Sequence, residues 1–173
     1  CDCEHVRNRA IVEILVATGM RISELIGLNL EDIDISKRQC IIYGKGRKER
    51  PAFFTPRAIV HIEEYLIWRK SLPDAGNALI VNLRRTEGEY KRMCACSVRS
   101  MLKKLVKADE RLRGLRLHPH MFRAYLATYM ARHGASPKDI ARVLGHSNIN
   151  VTYECYIIDD PVETQIVHSK CAA

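Results

Sequence analysis

Several residues in this chain have types and spacings that suit phosphate chemistry. His120 and Arg123 stand three apart in His120-Met121-Phe122-Arg123. Positions i and i+3 share a helix face, so the imidazole and the guanidinium project together. Such a pair can clamp phosphate oxygens, because arginine is permanently charged and can bond in a bidentate way. Alone, the pair reads as a surface His and Arg on an amphipathic helix. Arg21 comes just after Gly19, and Glu24 lies three residues further on, close enough to orient a neighbour. Lys45 sits between Gly44 and Gly46, flanked by Arg47, Lys48 and Arg50. A lysine on such a turn can reach into a groove, or can simply guard an edge strand. His146 lies between a helix stop and a helix start in Leu144-Gly145-His146-Ser147, and a helix N-terminus favours anions. Tyr153 and Tyr156 lie three apart near the end. A tyrosine, with an ordinary pKa of ~10, can attack phosphorus only with positive charge or a base nearby.

The elements that must position these residues read as helix, small sheet, then helices. Val6 to Thr18 carries Ile11, Ile14, Leu15 and Thr18 at helical spacing, a core-facing stripe. Gly19 suits the left-handed position after a helix end. Arg21 to Leu28 restarts as a short helix. Asp32 to Ile35, Cys40 to Tyr43 and Arg50 to Phe54 are β-branched and aromatic runs that read as short strands. Thr55-Pro56 opens a helix to Lys70, with threonine as cap and proline at the first position. Leu72 to Arg92 is loop-like, with one short strand at Leu79 to Val81. Ser97 to Lys107 is a basic amphipathic helix. His118-Pro119 opens a helix to His133, and Ser136-Pro137 opens another that Gly145 ends. Asn148 to Ile158 reads as helical, and Pro161 to Ala173 as a short tail. The fold class is therefore mainly α (α+β), with a small antiparallel sheet of three strands.

The charge favours a polyanionic partner. The chain has 173 residues, 28 of them Lys or Arg and 20 Asp or Glu, a net +8. Arg84 to Arg116 holds 11 basic and 4 acidic residues, and Lys37 to Arg50 holds 6 and 1, so the rest is net acidic. Two basic segments on an otherwise acidic chain suggest a nucleic-acid footprint. The length suits one domain. No apolar run approaches the ~20 residues of a membrane span, and no secretory signal opens the chain. The first residue is Cys1 rather than Met, so a fragment lacking an upstream domain is expected.

Seven cysteines, an odd number without a secretion signal, read as reduced thiols of a cytoplasmic protein. Cys1-Asp2-Cys3, with His5 nearby, and Cys94-Ala95-Cys96 are spaced by one residue rather than the two to four of most zinc sites. Incidental small core residues are the simpler account.

Together these stretches resemble the catalytic domain of the tyrosine recombinases, the phage-integrase family. The resemblance is carried by Ala17-Thr18-Gly19-Met20-Arg21-Ile22-Ser23-Glu24-Leu25, Gly44-Lys45-Gly46-Arg47-Lys48-Glu49-Arg50, Pro119-His120-Met121-Phe122-Arg123, Leu144-Gly145-His146-Ser147 and Thr152 to Tyr156. It runs from about Val6 to Asp160. It implies that Arg21 and Arg123 bind the scissile phosphate, with His120 and His146 as donors. Lys45 would protonate the leaving 5′-oxygen, Glu24 would support the site, and Tyr156 would be the nucleophile. The alternative spacing after the second histidine lands on Cys155, and Tyr153 fits neither spacing. Ala124 departs from the polar residue that often follows the second arginine.

The implied activity is cleavage and rejoining of DNA through a 3′-phosphotyrosine, with no cofactor, metal or ATP. A phage or mobile-element integrase is the first expectation. A recombinase that resolves chromosome dimers, a type IB topoisomerase and a DNA-binding protein with a degenerate site are the alternatives. The implied partner is double-stranded DNA, bound by a homo-tetramer or, for the isolated fragment, a monomer. Arg47, Lys48, Arg50, Arg99, Lys103 and Lys104 would track its backbone. The 1–173 segment would be the catalytic domain without its N-terminal clamp, and 160–173 would dock on a neighbouring protomer.

Overall fold

The computed structural model describes residues 2–44, 49–73, 75–115 and 117–145. Helix α1 spans Asp2–Thr18. It begins four residues before the apolar periodicity does. Ile11, Ile14, Leu15 and Thr18 are all buried, so the stripe read from the sequence is the face that packs. It packs against α3 (Pro56–Lys70) and α5 (Pro119–Arg132).

After α1 the chain turns at Gly19 into α2, Ile22–Gly27. Asn29 then caps a short 3-10 turn, Leu30–Asp32, and its backbone N–H donates to Asp32 Oδ2 at 2.7 Å. Asp32 is thereby drawn out of the first strand, which shortens to β1, Ile33–Asp34. Strands β2 (Gln39–Tyr43) and β3 (Glu49–Phe53) complete an antiparallel sheet in the order β1-β2-β3. Cys40 pairs with Ala52 and Ile42 with Arg50. Strand side chains alternate between faces, so Cys40, Ile42, Arg50 and Ala52 share the face turned to the core.

Helix α3 starts as the sequence indicates. Thr55 accepts from the Ala58 N–H at 3.1 Å, and Pro56 fills the first position. Its buried Tyr65 donates to Leu79 O, and its buried Arg69 donates to Ala75 O, Gly76 O and Ala78 O. These bonds fold the long connection onto α3. The strand expected at Leu79 to Val81 is reduced to an isolated bridge, Val81 to Arg92, with another just before it between Ala78 and Asn29. The side chains of α3 take carbonyls of this connection that a continuous strand would have offered to a neighbour.

Helix α4 is Ala95–Ala108. It buries Val98, Met101 and Leu102 and exposes Arg99, Lys103, Lys104 and Lys107. Helix α6, Pro137–Leu144, is capped by Ser136, which accepts from the Asp139 N–H at 3.2 Å. Its Ile140 and Leu144 form a small apolar cluster with Ala127 of α5. The architecture is mainly helical with one three-stranded antiparallel sheet. No described helix is long and apolar enough to cross a membrane.

The reduced-thiol expectation is corrected for one pair. Cys94 and Cys96 are disulfide-bonded, with Cα atoms 5.5 Å apart, a separation that a disulfide spans. Extended Cys94 precedes the first turn of α4 and so brings the two sulfurs to one side. Cys3 and Cys40 are free. Burial pushes the Cys40 thiol up to about 12, so it is an unreactive core group.

Candidate active site

The site is built around the turn between α1 and α2. Gly19 adopts φ +56°, and its N–H closes α1 onto Leu15 O at 2.9 Å. A Cβ at Gly19 would come within 2.9 Å of Leu144 Cδ2 and 3.0 Å of Leu126 Cδ2. Glycine is required there both by the left-handed backbone and by the close approach of α5 and α6.

Two residues on, Arg21 opens α2. Its backbone N–H donates to Glu24 Oε2 at 2.8 Å, and its guanidinium donates to Glu24 Oε1 at 3.0 Å. One carboxylate therefore caps the helix and holds the arginine. An acidic group in the first turn is also favoured by the helix dipole. The Glu24 side chain is 4% exposed while that of Arg21 is 43% exposed. The cation is thus held from behind by a buried anion and presents its outer face to solvent.

Arg123 is buried. It donates to Gly19 O at 2.9 Å and to Leu144 O at 2.6 Å. These two carbonyls fix the guanidinium plane between the α1–α2 turn and the end of α6. His120, one helical turn earlier, is exposed at the start of α5. The structure therefore joins Arg21, Glu24 and Arg123 through one turn and places His120 at the accessible end of the helix that carries Arg123. Cationic donors fixed before a ligand arrives stabilise phosphoryl charge without reorganising.

Arg50 requires a correction. It was expected to track DNA, but its side chain is only 14% exposed. It donates to Glu24 Oε2 and to Val143 O, each at 2.9 Å. The signal was present in the strand alternation, which puts Arg50 on the inward face with Ala52. Arg92, although exposed, is also committed to the protein itself, since it donates to Ile26 O, Leu28 O and Asn29 Oδ1 and so holds the end of α2. No local pattern announces it, because all three acceptors lie more than sixty residues away. Arg99, Lys103 and Lys104 lie exposed along α4. Lys45, Arg47, Lys48, His146 and Tyr156 lie outside the described residues, as do Tyr153, Cys155 and the helix expected at Asn148 to Ile158.

The model of the phage integrase family matches residues 1–161. The chain belongs to the phage integrase family. Among its relatives is a protein named tyrosine recombinase XerC from Lactobacillus delbrueckii subsp. bulgaricus. It is 36% identical over 154 residues, which cover 85% of this chain and 49% of the relative. A protein of the same name from Shewanella putrefaciens is 31% identical over 147 residues, 85% of this chain and 46% of the relative. This integrase-family chain thus spans about half the length of the curated relatives it matches. The XerA recombinase structure superposes with a TM-score of 0.80 at 24% identity, covering 97% of this chain and 57% of that one. XerH site-specific recombinase bound to its difH substrate gives 0.78 at 23%, covering 97% and 48%. At these identities the likeness is one of fold.

Proposed function

We propose that this chain is the catalytic part of a tyrosine-type site-specific DNA recombinase, acting on duplex DNA as a tetramer. The observation that carries the reading is the pair Arg21 and Arg123. Both are anchored at the Gly19–Arg21 turn, Arg21 by a buried carboxylate and Arg123 by Gly19 O, with Leu144 O holding the other end of the Arg123 guanidinium. Such anchoring suits an oxyanion that gains charge during reaction.

In this reading the Tyr156 hydroxyl gives its proton to solvent and its oxygen bonds to phosphorus as the bond to the 5′-oxygen breaks. Lys45 gives its proton to that leaving oxygen. Arg21, Arg123, His120 and His146 stabilise charge on the non-bridging oxygens. The phosphotyrosine keeps the bond energy, so a 5′-hydroxyl of another strand can attack it and rejoin DNA without ATP. The exposed face of α4, with Arg99, Lys103 and Lys104, together with Arg47 and Lys48, holds the DNA backbone.

Two biological roles share this chemistry. The relatives named XerC favour a housekeeping recombinase of the kind that resolves chromosome dimers. A mobile-element integrase is favoured by the Tn1549 transposon integrase among the structural neighbours, with a TM-score of 0.71. The sequence relatives weigh more, since the transposon likeness is one of fold at 23% identity.

The test is covalent trapping. The chain is incubated with a pool of random-sequence duplexes that carry nicks, so that cleaved strands diffuse away. Protein that stays attached to DNA in detergent is digested, and the linked residue is identified by mass spectrometry. The expected linkage is a 3′-phosphate on Tyr156, lost in Tyr156→Phe while DNA binding persists. Binding without any covalent product would leave a DNA-binding protein with a degenerate site.

A further inference from the structure

Arg50 reaches two parts of the site that no backbone connection joins directly. One end of its guanidinium meets the carboxylate that holds Arg21. The other meets Val143 O, in the last turn of α6. That helix end leads through Gly145 to His146. Gly145 adopts φ +68°, and a Cβ there would land on Arg50 Nε and 2.7 Å from its Cδ. The path of the chain at the end of α6 is therefore in contact with this side chain. Arg50 itself lies on β3, two residues past Lys48 in the sequence.

We propose that Arg50 is a positioning residue of the recombination reaction, a guanidinium strut that sets the Glu24–Arg21 pair against the α6 terminus. The proposal rests on the recombinase reading for the reaction it serves. A bifurcated, planar cation is needed for this task. The two acceptors lie on different elements, and a lysine ammonium is a point charge that lacks the fork. A helix C-terminus with unsatisfied carbonyls is a favourable place for one arm. The buried carboxylate is a favourable place for the other. Arg50 is not directed at DNA, so its removal should not resemble the removal of a phosphate-binding side chain.

The experiment uses the full chain with Arg50→Ala and Arg50→Lys. Hydrogen exchange is read first, because it needs no activity. In both variants, exchange is expected to rise at residues 22–27 and at 140–145 together, with α3 unchanged. A rise at one of these segments alone, or at neither, overturns the strut. Single-turnover cleavage of the trapped substrate is read next, normalised to folded protein. A misplaced site costs about 100-fold, and that loss is expected in both variants. DNA affinity and its salt dependence should stay within about threefold of the parent chain, since no phosphate partner is removed. Cleavage by Arg50→Lys at the parental rate overturns the proposal, because bare charge would then suffice. A loss of affinity that accounts for the whole loss of cleavage overturns it in favour of a direct role on DNA. A parent chain that forms no covalent product counts against the recombinase reading, and the exchange pattern then decides the strut by itself.

Discussion

Arg50 and Arg123 hold consecutive carbonyls of one helix end: Arg50 donates to Val143 O at 2.9 Å and Arg123 to Leu144 O at 2.6 Å. The two arginines come from a strand and a helix, and each has its second anchor on the α1–α2 region, at Glu24 and Gly19. The last turn of α6 is thus clamped from two directions to the segment that presents Arg21. Helix-end carbonyls lack intrahelical donors and carry partial negative charge, so cations are suited to both positions.

The matched pair Gly145 and Gly134 separates backbone strain from this clamp. Both have positive φ, +68° and +82°, and nothing lies within 4 Å of a Cβ at Gly134. Gly134→Ala should cost about 1–2 kcal/mol from the left-handed conformation alone. Gly145→Ala should cost that and displace Arg50, for a total of about 3 kcal/mol once a charged hydrogen bond is broken. Urea midpoints of the two variants measure the difference. Equal midpoints would mean that Arg50 moves aside freely.

Glu24→Gln keeps the shape of the side chain and removes its charge. The carboxylate accepts from the Arg21 backbone, the Arg21 guanidinium and Arg50. An amide must turn a donor toward at least one of these donors. The expected drop in stability is about 2 kcal/mol, in the range of hydrogen bonds to charged groups. Cleavage should fall by about tenfold or more, since that free energy also orients Arg21. Denaturation and single-turnover trapping on the same preparation read both.

The exposed basic face of α4 should act through salt. Removing one phosphate-neutralising side chain lowers the slope of log affinity against log salt by about 0.9. Arg99→Ala, Lys103→Ala and Lys104→Ala, all exposed, should each flatten the slope by about that amount and leave sequence preference alone. Fluorescence anisotropy with duplex DNA between about 50 and 300 mM salt, where screening changes steeply, provides the slopes. An unchanged slope in all three would place the DNA elsewhere.

Alkaline pH should destabilise the fold through two core groups. Burial pushes Cys40 and Tyr65 each up to about 12, from 9.0 and 10.0. Both bind their proton more tightly in the folded chain, so the stability concerned is whole below about pH 9 and diminishes as pH rises toward about 12. Urea midpoints should fall progressively above about pH 9, and those of Cys40→Ala should fall less steeply. A flat profile to about pH 11 would mean that neither group is as secluded as its position indicates.

Much of this architecture is legible in the residues alone. The Ile11, Ile14, Leu15 stripe of α1, the Thr55-Pro56 and Ser136-Pro137 helix starts and the Gly145 stop are local signals. Each depends on neighbours a helical turn or so away, and each appears where the pattern indicates. The pairing of Arg21 with Glu24 is equally local and equally visible. Legible too is the exposed charge of α4, which follows from Val98, Met101 and Leu102 claiming the opposite face.

The direction taken by the arginines was decided by the tertiary structure. Arg50, Arg92 and Arg123 find their acceptors 21 to 104 residues away in the chain. A guanidinium has a long apolar stem and five donors, and it serves equally on a DNA-facing surface or beneath a helix end. Its residue type fixes the charge and not the partner. Counting it in a basic segment therefore says how much charge is available, whereas the packing of α2, β3 and α6 says how much of it turns inward to build the site.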